Sequence, residues 1–140
     1  MFRVANLRDQ AMVEAEFRIM LIRDEPTRER EAFRRFYTLT LQFDRLISFP
    51  AIITIRHIID EHSPLHGQTL ADMERDDSRF LASIVCIDTV IPAPVQSHYS
   101  YTWKDIRVNH RFVEVYKEIE HNALVVDYGR IHGTEPIPTS

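Results

Sequence analysis

At 140 residues the chain is long enough to bury one real core and short for two domains. Apolar residues make up 44% and charged residues 27%, an ordinary soluble balance, and a net charge of −4 counts against nucleic acid as a partner, since phosphate binding needs a basic surface. The single cysteine, Cys86, excludes an internal disulfide and suits a reducing compartment, and no stretch approaches the roughly 18 apolar residues of a membrane helix.

Met1-Phe2-Arg3-Val4 lacks a signal-peptide pattern. Taken alone, these features describe a soluble cytosolic domain. Gly67, Gly129 and Gly133 stand singly, so neither common glycine-rich phosphate loop is present.

In chain order, Val13, Ala15, Phe17, Ile19 and Leu21 alternate with Glu14, Glu16, Arg18, Met20 and Ile22, which predicts a strand with a polar face at its start. Asp24-Glu25-Pro26-Thr27 breaks it, and Arg28-Glu29-Arg30-Glu31 reads as a charged loop. Phe36 to Leu41 predicts a second strand. The longest apolar run, Ile47 to Ile59, is rich in β-branched residues and predicts a central strand, much of it buried on both faces. It ends in a polar corner, Asp60-Glu61-His62-Ser63-Pro64-Leu65.

Thr69 with Asp72 three residues on marks a capped helix ending by about Asp76-Asp77. Phe80 to Ile87 predicts another strand. Pro92 and Pro94 cannot lie in a central strand, and Val95 to Thr102 alternates again. Arg111 to Tyr116 and Ala123 to Tyr128 predict a hairpin around Glu118–Asn122, and 136–140 reads as a frayed tail. Short strands at regular spacing with one short helix predict an all-β, immunoglobulin-like β-sandwich, residues 1–140 forming a single domain.

Several motifs fall in a family order. Arg3-Val4-Ala5-Asn6-Leu7-Arg8 with Val13-Glu14-Ala15 comes first, then His57-Ile58-Ile59-Asp60-Glu61-His62-Ser63-Pro64-Leu65. Gln96-Ser97-His98-Tyr99-Ser100-Tyr101 follows, then Asp105-Ile106 with His110-Arg111-Phe112, and finally Val126-Asp127-Tyr128-Gly129-Arg130-Ile131-His132. From Phe2 to Pro138 the chain resembles the cytoplasmic C-terminal domain of inward-rectifier potassium channels. Gly133-Thr134-Glu135-Pro136 continues in the style of the prokaryotic members.

The resemblance implies an immunoglobulin-like sandwich, a homotetramer around a cytoplasmic extension of the pore, and no enzymatic activity or cofactor. Potassium is the implied permeant ion, with magnesium or polyamines as blockers, and the implied partners are the channel's own transmembrane pore domain and anionic membrane lipid. Both membrane helices and the selectivity filter are missing, so the implied segment starts just after the inner helix of a longer channel, at the cytoplasmic face of the membrane. As it stands this chain cannot conduct selectively.

The resemblance assigns residues as well. Glu14 matches a pore-lining acid, and one carboxylate per chain becomes a ring of four that concentrates cations. The plain alternative is that Glu14 belongs to the polar face of an alternating strand. Asp44 occupies a second acidic position of some members, Thr40 falls where another acid stands in them, and Glu16 shares the face of Glu14 by spacing alone. Arg8 matches a basic residue that contacts phosphoinositide head groups, although its neighbour is Asp9; the alternative is pairing with an acid.

Asp88 to Val95 takes the place of a loop that narrows the pore, with Val90, Ile91, Pro92, Ala93 and Pro94 as an apolar, proline-stiffened constriction. Thr89 and His98 replace an acid and an arginine of many members, leaving at best a Thr–His contact. His62 and His66 lie in a proline-containing corner with no third ligand, so no metal site is expected. His57 reads as a structural hydrogen bonder, Cys86 as a buried inert thiol, and Asp127 and Arg130 as local polar contacts. The alternative to a channel domain is a stand-alone immunoglobulin-like module that binds protein or lipid. Membrane helices encoded immediately upstream would separate the two.

Overall fold

The computed structural model describes residues 1–8, 11–49, 51–119 and 123–138. Its strands are β1 Phe2–Ala5, β2 Met12–Pro26, β3 Ala32–Thr38, β4 Arg45–Ser48 and β5 Ile52–Ile55. After helix α1, Leu70–Arg75, come β6 Arg79–Asp88, β7 Pro94–Thr102, β8 His110–Phe112, β9 Tyr116–Ile119, β10 Ala123–Val126 and β11 Thr134–Pro136.

The period-two run forms the middle of β2, which buries Ala15, Phe17, Ile19 and Leu21 as expected. Every pairing of the main sheet is antiparallel: β6 takes one side of β2, while β3 and β4 share the other. β7 closes the far end against β6. Separate antiparallel ribbons join β1 to β5, β8 to β11 and β9 to β10. Phe2 and Ile55 of the first ribbon pack into one core with Phe17, Leu21, Phe80 and Ala82 of the main sheet and Met73 of α1. This is the expected all-β sandwich with one short helix, and no closed barrel is formed among the described residues.

The helix starts where its cap predicts. Thr69 Oγ1 accepts from the Asp72 N–H at 3.2 Å, and Asp72 Oδ2 accepts from the Thr69 N–H at 2.9 Å. The Thr69 backbone N–H, joined by the Thr69 hydroxyl 3.0 Å from the same oxygen, holds the Asp72 carboxyl below its usual pKa.

The long run from Ile47 to Ile59 is not a central strand. Its start and middle fall in the short strands β4 and β5, which pair with different partners, and Ile47, Ile58 and Ile59 are 82%, 61% and 55% exposed. β-branched composition favours extended backbone but does not choose its neighbours. The central strands are β2 and β6. Nor does β2 break at Asp24: it continues to Pro26 because β3 begins early, at Ala32, and pairs with it through Pro26.

The predicted strand from Arg111 to Tyr116 is two strands. β8 pairs with β11, and β9 forms the hairpin with β10. Glu120, His121 and Asn122 of that turn lie outside the described residues. Pro136 is no part of a tail, since it pairs with His110 in β11, and the Ile137 N–H donates to Asn109 O at 2.8 Å.

β1, which carries no alternation of its own, ties the two ends of the chain together. Arg3 passes Thr54, donates from Nη2 to Val113 O and stacks its guanidinium 4.5 Å from the Phe112 ring centre.

Candidate functional site: the Glu14 bulge, Asp44 and the Asp88 loop

Glu14 sits at a β-bulge. Val13 pairs with Ile87 and Glu16 with Val85, so Glu14 and Ala15 together oppose Cys86. Glu14 takes φ 51°, the left-handed region that costs a side-chain-bearing residue about 1–2 kcal/mol. The extra residue resets the alternation: Met12 turns inward and is buried, while Glu14 is exposed. The polar face falls at Glu14, as spacing predicts, and it is the burial of Met12 that the bulge adds. Glu14 and Glu16 are separated by the bulge, and Glu16 is held by Arg18, whose Nη2 lies 2.9 Å from its Oε1.

Asp44 is brought alongside the same strand, β2. It immediately precedes β4, and its carbonyl accepts from the Phe17 N–H at 2.8 Å, while Ala15 pairs with Leu46. Its carboxylate is exposed, and so is that of Glu14. Thr40, between β3 and β4, instead gives its carbonyl to the Nδ1 of His57 at 2.6 Å.

The loop after β6 is built on Asp88, which is 3% exposed. Its Oδ1 accepts from the N–H groups of Val90 and Ile91 at 2.8 and 3.3 Å. The Asp88 N–H donates to Ala93 O at 3.1 Å, and the Ala93 N–H donates to Ile91 O at 2.6 Å. Val90 and Ile91 are held outward, 69% and 68% exposed, Pro92 is exposed and Ala93 half-buried. Pro94 opens β7, an end strand of the sheet, where its missing N–H is tolerated.

Arg8 comes to this loop, its Nη1 2.9 Å from Asp88 Oδ2. An arginine paired with an acid is thus what the structure contains at Arg8; Asp9 lies outside the described residues. No Thr89–His98 contact forms within the chain: Thr89 donates to Ala11 O at 2.8 Å, and the ladder sets His98 opposite Ser83.

The polar corner is an anchor. His57 accepts or donates at both ring nitrogens, to Thr40 O at 2.6 Å and Ser63 Oγ at 2.7 Å. A carbonyl can only accept, so Nδ1 carries a proton and donates to Thr40 O, while Nε2 pairs with the Ser63 hydroxyl. Ser63 Oγ in turn accepts from the Leu65 N–H at 3.1 Å. Arg23 Nη1 donates to Pro64 O at 2.6 Å from the sheet side. Thr38, Gln42, Asp60 and His62 share with this group the wall of a cleft of about 290 Å³.

His62 lies 3.4 Å from Glu61, and His66 is exposed. No grouping of three metal-ligating side chains occurs among the described residues. Cys86 is buried under the bulge, and burial raises its thiol pKa, the direction of an inert thiol. Asp127 caps a 3-10 turn, accepting from the Gly129 N–H at 3.0 Å, and Arg130 returns its N–H to Asp127 O at 3.2 Å.

Sequence reasoning treated Asp88 only as the first residue of a loop. The available signal was an acid closing an apolar strand two residues before backbone N–H groups with no strand partner, the pattern of an Asx turn. For Arg3 no local signal existed, because its partners lie far away in sequence.

The model of the inward rectifier potassium channel C-terminal domain matches residues 1–140. The chain is 32% identical over 132 residues to the inward rectifier potassium channel Kirbac3.1 of Paramagnetospirillum magnetotacticum, covering 94% of this chain and 45% of that protein. It is 34% identical over 144 positions to mouse ATP-sensitive inward rectifier potassium channel 12, covering 100% of this chain and 34% of that one. It is also 31% identical to bovine G protein-activated inward rectifier potassium channel 1, of which it covers 28%. The chain thus spans less than half the length of these relatives, bacterial and mammalian alike. With a match from end to end and an all-β fold, the chain belongs to the inward rectifier potassium channel C-terminal domain family, a family of channel domains and not of enzymes.

Proposed function

We propose that this chain is the cytoplasmic, pore-extending domain of an inward-rectifier potassium channel and acts as a homotetramer joined to its own transmembrane pore domain. In that assembly Glu14 and Asp44 line a fourfold vestibule that concentrates potassium and admits magnesium or polyamines as blockers. Val90 to Pro94 form the apolar constriction, and Arg8 meets anionic phosphate head groups at the membrane. Movement of the domains against the pore couples these signals to opening, with each ligand favouring the arrangement it binds better.

The observation that carries this reading is the family match over the whole chain, and Glu14 and Asp44 are both exposed. The bulge at Glu14 supports it further, since backbone held in an unfavoured region is over-represented at functional positions.

Potassium currents through the full-length channel test the proposal. Glu14→Gln with Asp44→Asn weakens magnesium or spermine block by about tenfold, the low end of what a focusing charge ring supplies. Block of unchanged strength in a conducting double variant would remove the vestibule assignment.

A further inference from the structure

The two oxygens of Asp88 have separate tasks. Oδ1 holds the backbone of the constriction loop through Val90 and Ile91, and Oδ2 holds the guanidinium of Arg8 at 2.9 Å. The acid is almost wholly buried, whereas the Arg8 side chain is 50% exposed. An anion arriving from solvent reaches the arginine and not the acid.

We infer that Asp88 is a positioning residue that competes with phosphate-bearing anions for Arg8, so that occupation of Arg8 is read out as the conformation of the Asp88–Ala93 loop. This rests on the reading of Arg8 as an anion site. The physical argument is one of compensation. A buried carboxylate is tolerated while a guanidinium balances it, and it becomes costly once that partner turns away. A phosphate offers Arg8 a bidentate geometry of its own. When the guanidinium swings to it, Asp88 loses one of the partners that hold it in place, and the carboxylate shifts. That shift weakens Oδ1 as the acceptor that shapes the loop. Coupling of this kind is reciprocal: whatever the anion does to the loop, the Asp88 charge does to anion affinity by the same factor.

The experiment uses the 140-residue chain labelled with ¹⁵N. Inorganic phosphate forms one arm, and phosphatidylcholine vesicles with and without a phosphoinositide form the other, so that free phosphate and a lipid head group are told apart. In the native chain, saturable binding shifts the Arg8 Nε resonance together with the Val90 and Ile91 amides. Asp88→Asn binds the same probe about tenfold more tightly, because the competing charge is gone. Arg8→Gln without any anion moves the Val90 and Ile91 amides toward their anion-bound positions, an independent check should Asp88→Asn fold poorly.

Saturation at Arg8 with silent Val90 and Ile91 amides overturns the competition alone and leaves the anion reading of Arg8 in place. Equal affinity of the native chain and a folded Asp88→Asn variant does the same. No saturable binding to either protein in either arm overturns both.

Discussion

Tyr37 donates its hydroxyl proton to Glu25 Oε1 at 2.6 Å, across the paired strands β2 and β3. Arg23 approaches the same oxygen at 2.9 Å, and Arg35 reaches the other at 3.3 Å. Both guanidinium groups also lie over the Tyr37 ring, at 4.9 and 5.4 Å from its centre. Arg23 then continues to Pro64 O, so this carboxylate fixes the tie between the sheet and the polar corner.

The Tyr37 hydrogen bond, joined by Arg23 and Arg35, lowers the Glu25 pKa against the opposing effect of burial. A carboxyl lowered in the folded state contributes stability that is present above its unfolded pKa, about 4.3, and lost as pH falls through the folded value. Urea unfolding of the native chain is therefore expected to lose midpoint between pH 5 and pH 3. Glu25→Gln starts lower at pH 7 and loses less over the same range. Parallel pH profiles for the two proteins would contradict the assignment.

Replacing His57 removes the side chain that joins Thr40 O to Ser63 Oγ. His57→Ala is expected to cost about 1–3 kcal/mol, since Thr40 O and Ser63 Oγ lose a partner in a part-buried setting. Denaturant titration gives the value, and Leu65 amide exchange locates it. A change in unfolding free energy within experimental error would mean the corner does not depend on this histidine.

At the bulge, backbone conformation and charge can be separated. Glu14→Gly relieves the positive φ and is expected to be neutral or stabilising by up to about 1 kcal/mol, whereas Glu14→Val, β-branched, costs about 1–2 kcal/mol or more. Should both variants unfold at the same urea concentration, the left-handed bulge is not retained in solution. The Glu14→Gly protein also lacks the carboxylate, so its channel form is expected to share the weakened block of Glu14→Gln.

Gly133 leaves room that Val113, just after β8, uses. A methyl group there would stand 2.6 Å from Val113 Cγ2 and 3.2 Å from Arg130 O. Gly133→Ala is expected to destabilise by about 1–3 kcal/mol through overpacking. Val113→Ala in the same chain should recover part of that loss, a coupling that a double-mutant cycle measures directly. Strict additivity would place the strain at Arg130 O instead.

What the sequence determined by itself was local. Alternation located the buried face of β2 from Ala15 to Leu21, the Thr69–Asp72 spacing located the helix, and the ordered motifs identified the family. Each depends on neighbours a few residues apart, where steric preference and hydrogen-bonding chemistry act without help from the fold. The candidate acids Glu14 and Asp44 come from the resemblance alone, and their spacing does not single them out.

Tertiary structure decided the rest. It divided the Ile47–Ile59 run between two sheets, because strand pairing is a contest among distant partners that composition does not settle. It turned Met12 inward, because the bulge exists only against Cys86 of another strand. Finally, it buried Asp88 and brought Arg8 to it across 80 residues, a pairing that only the closed fold can make.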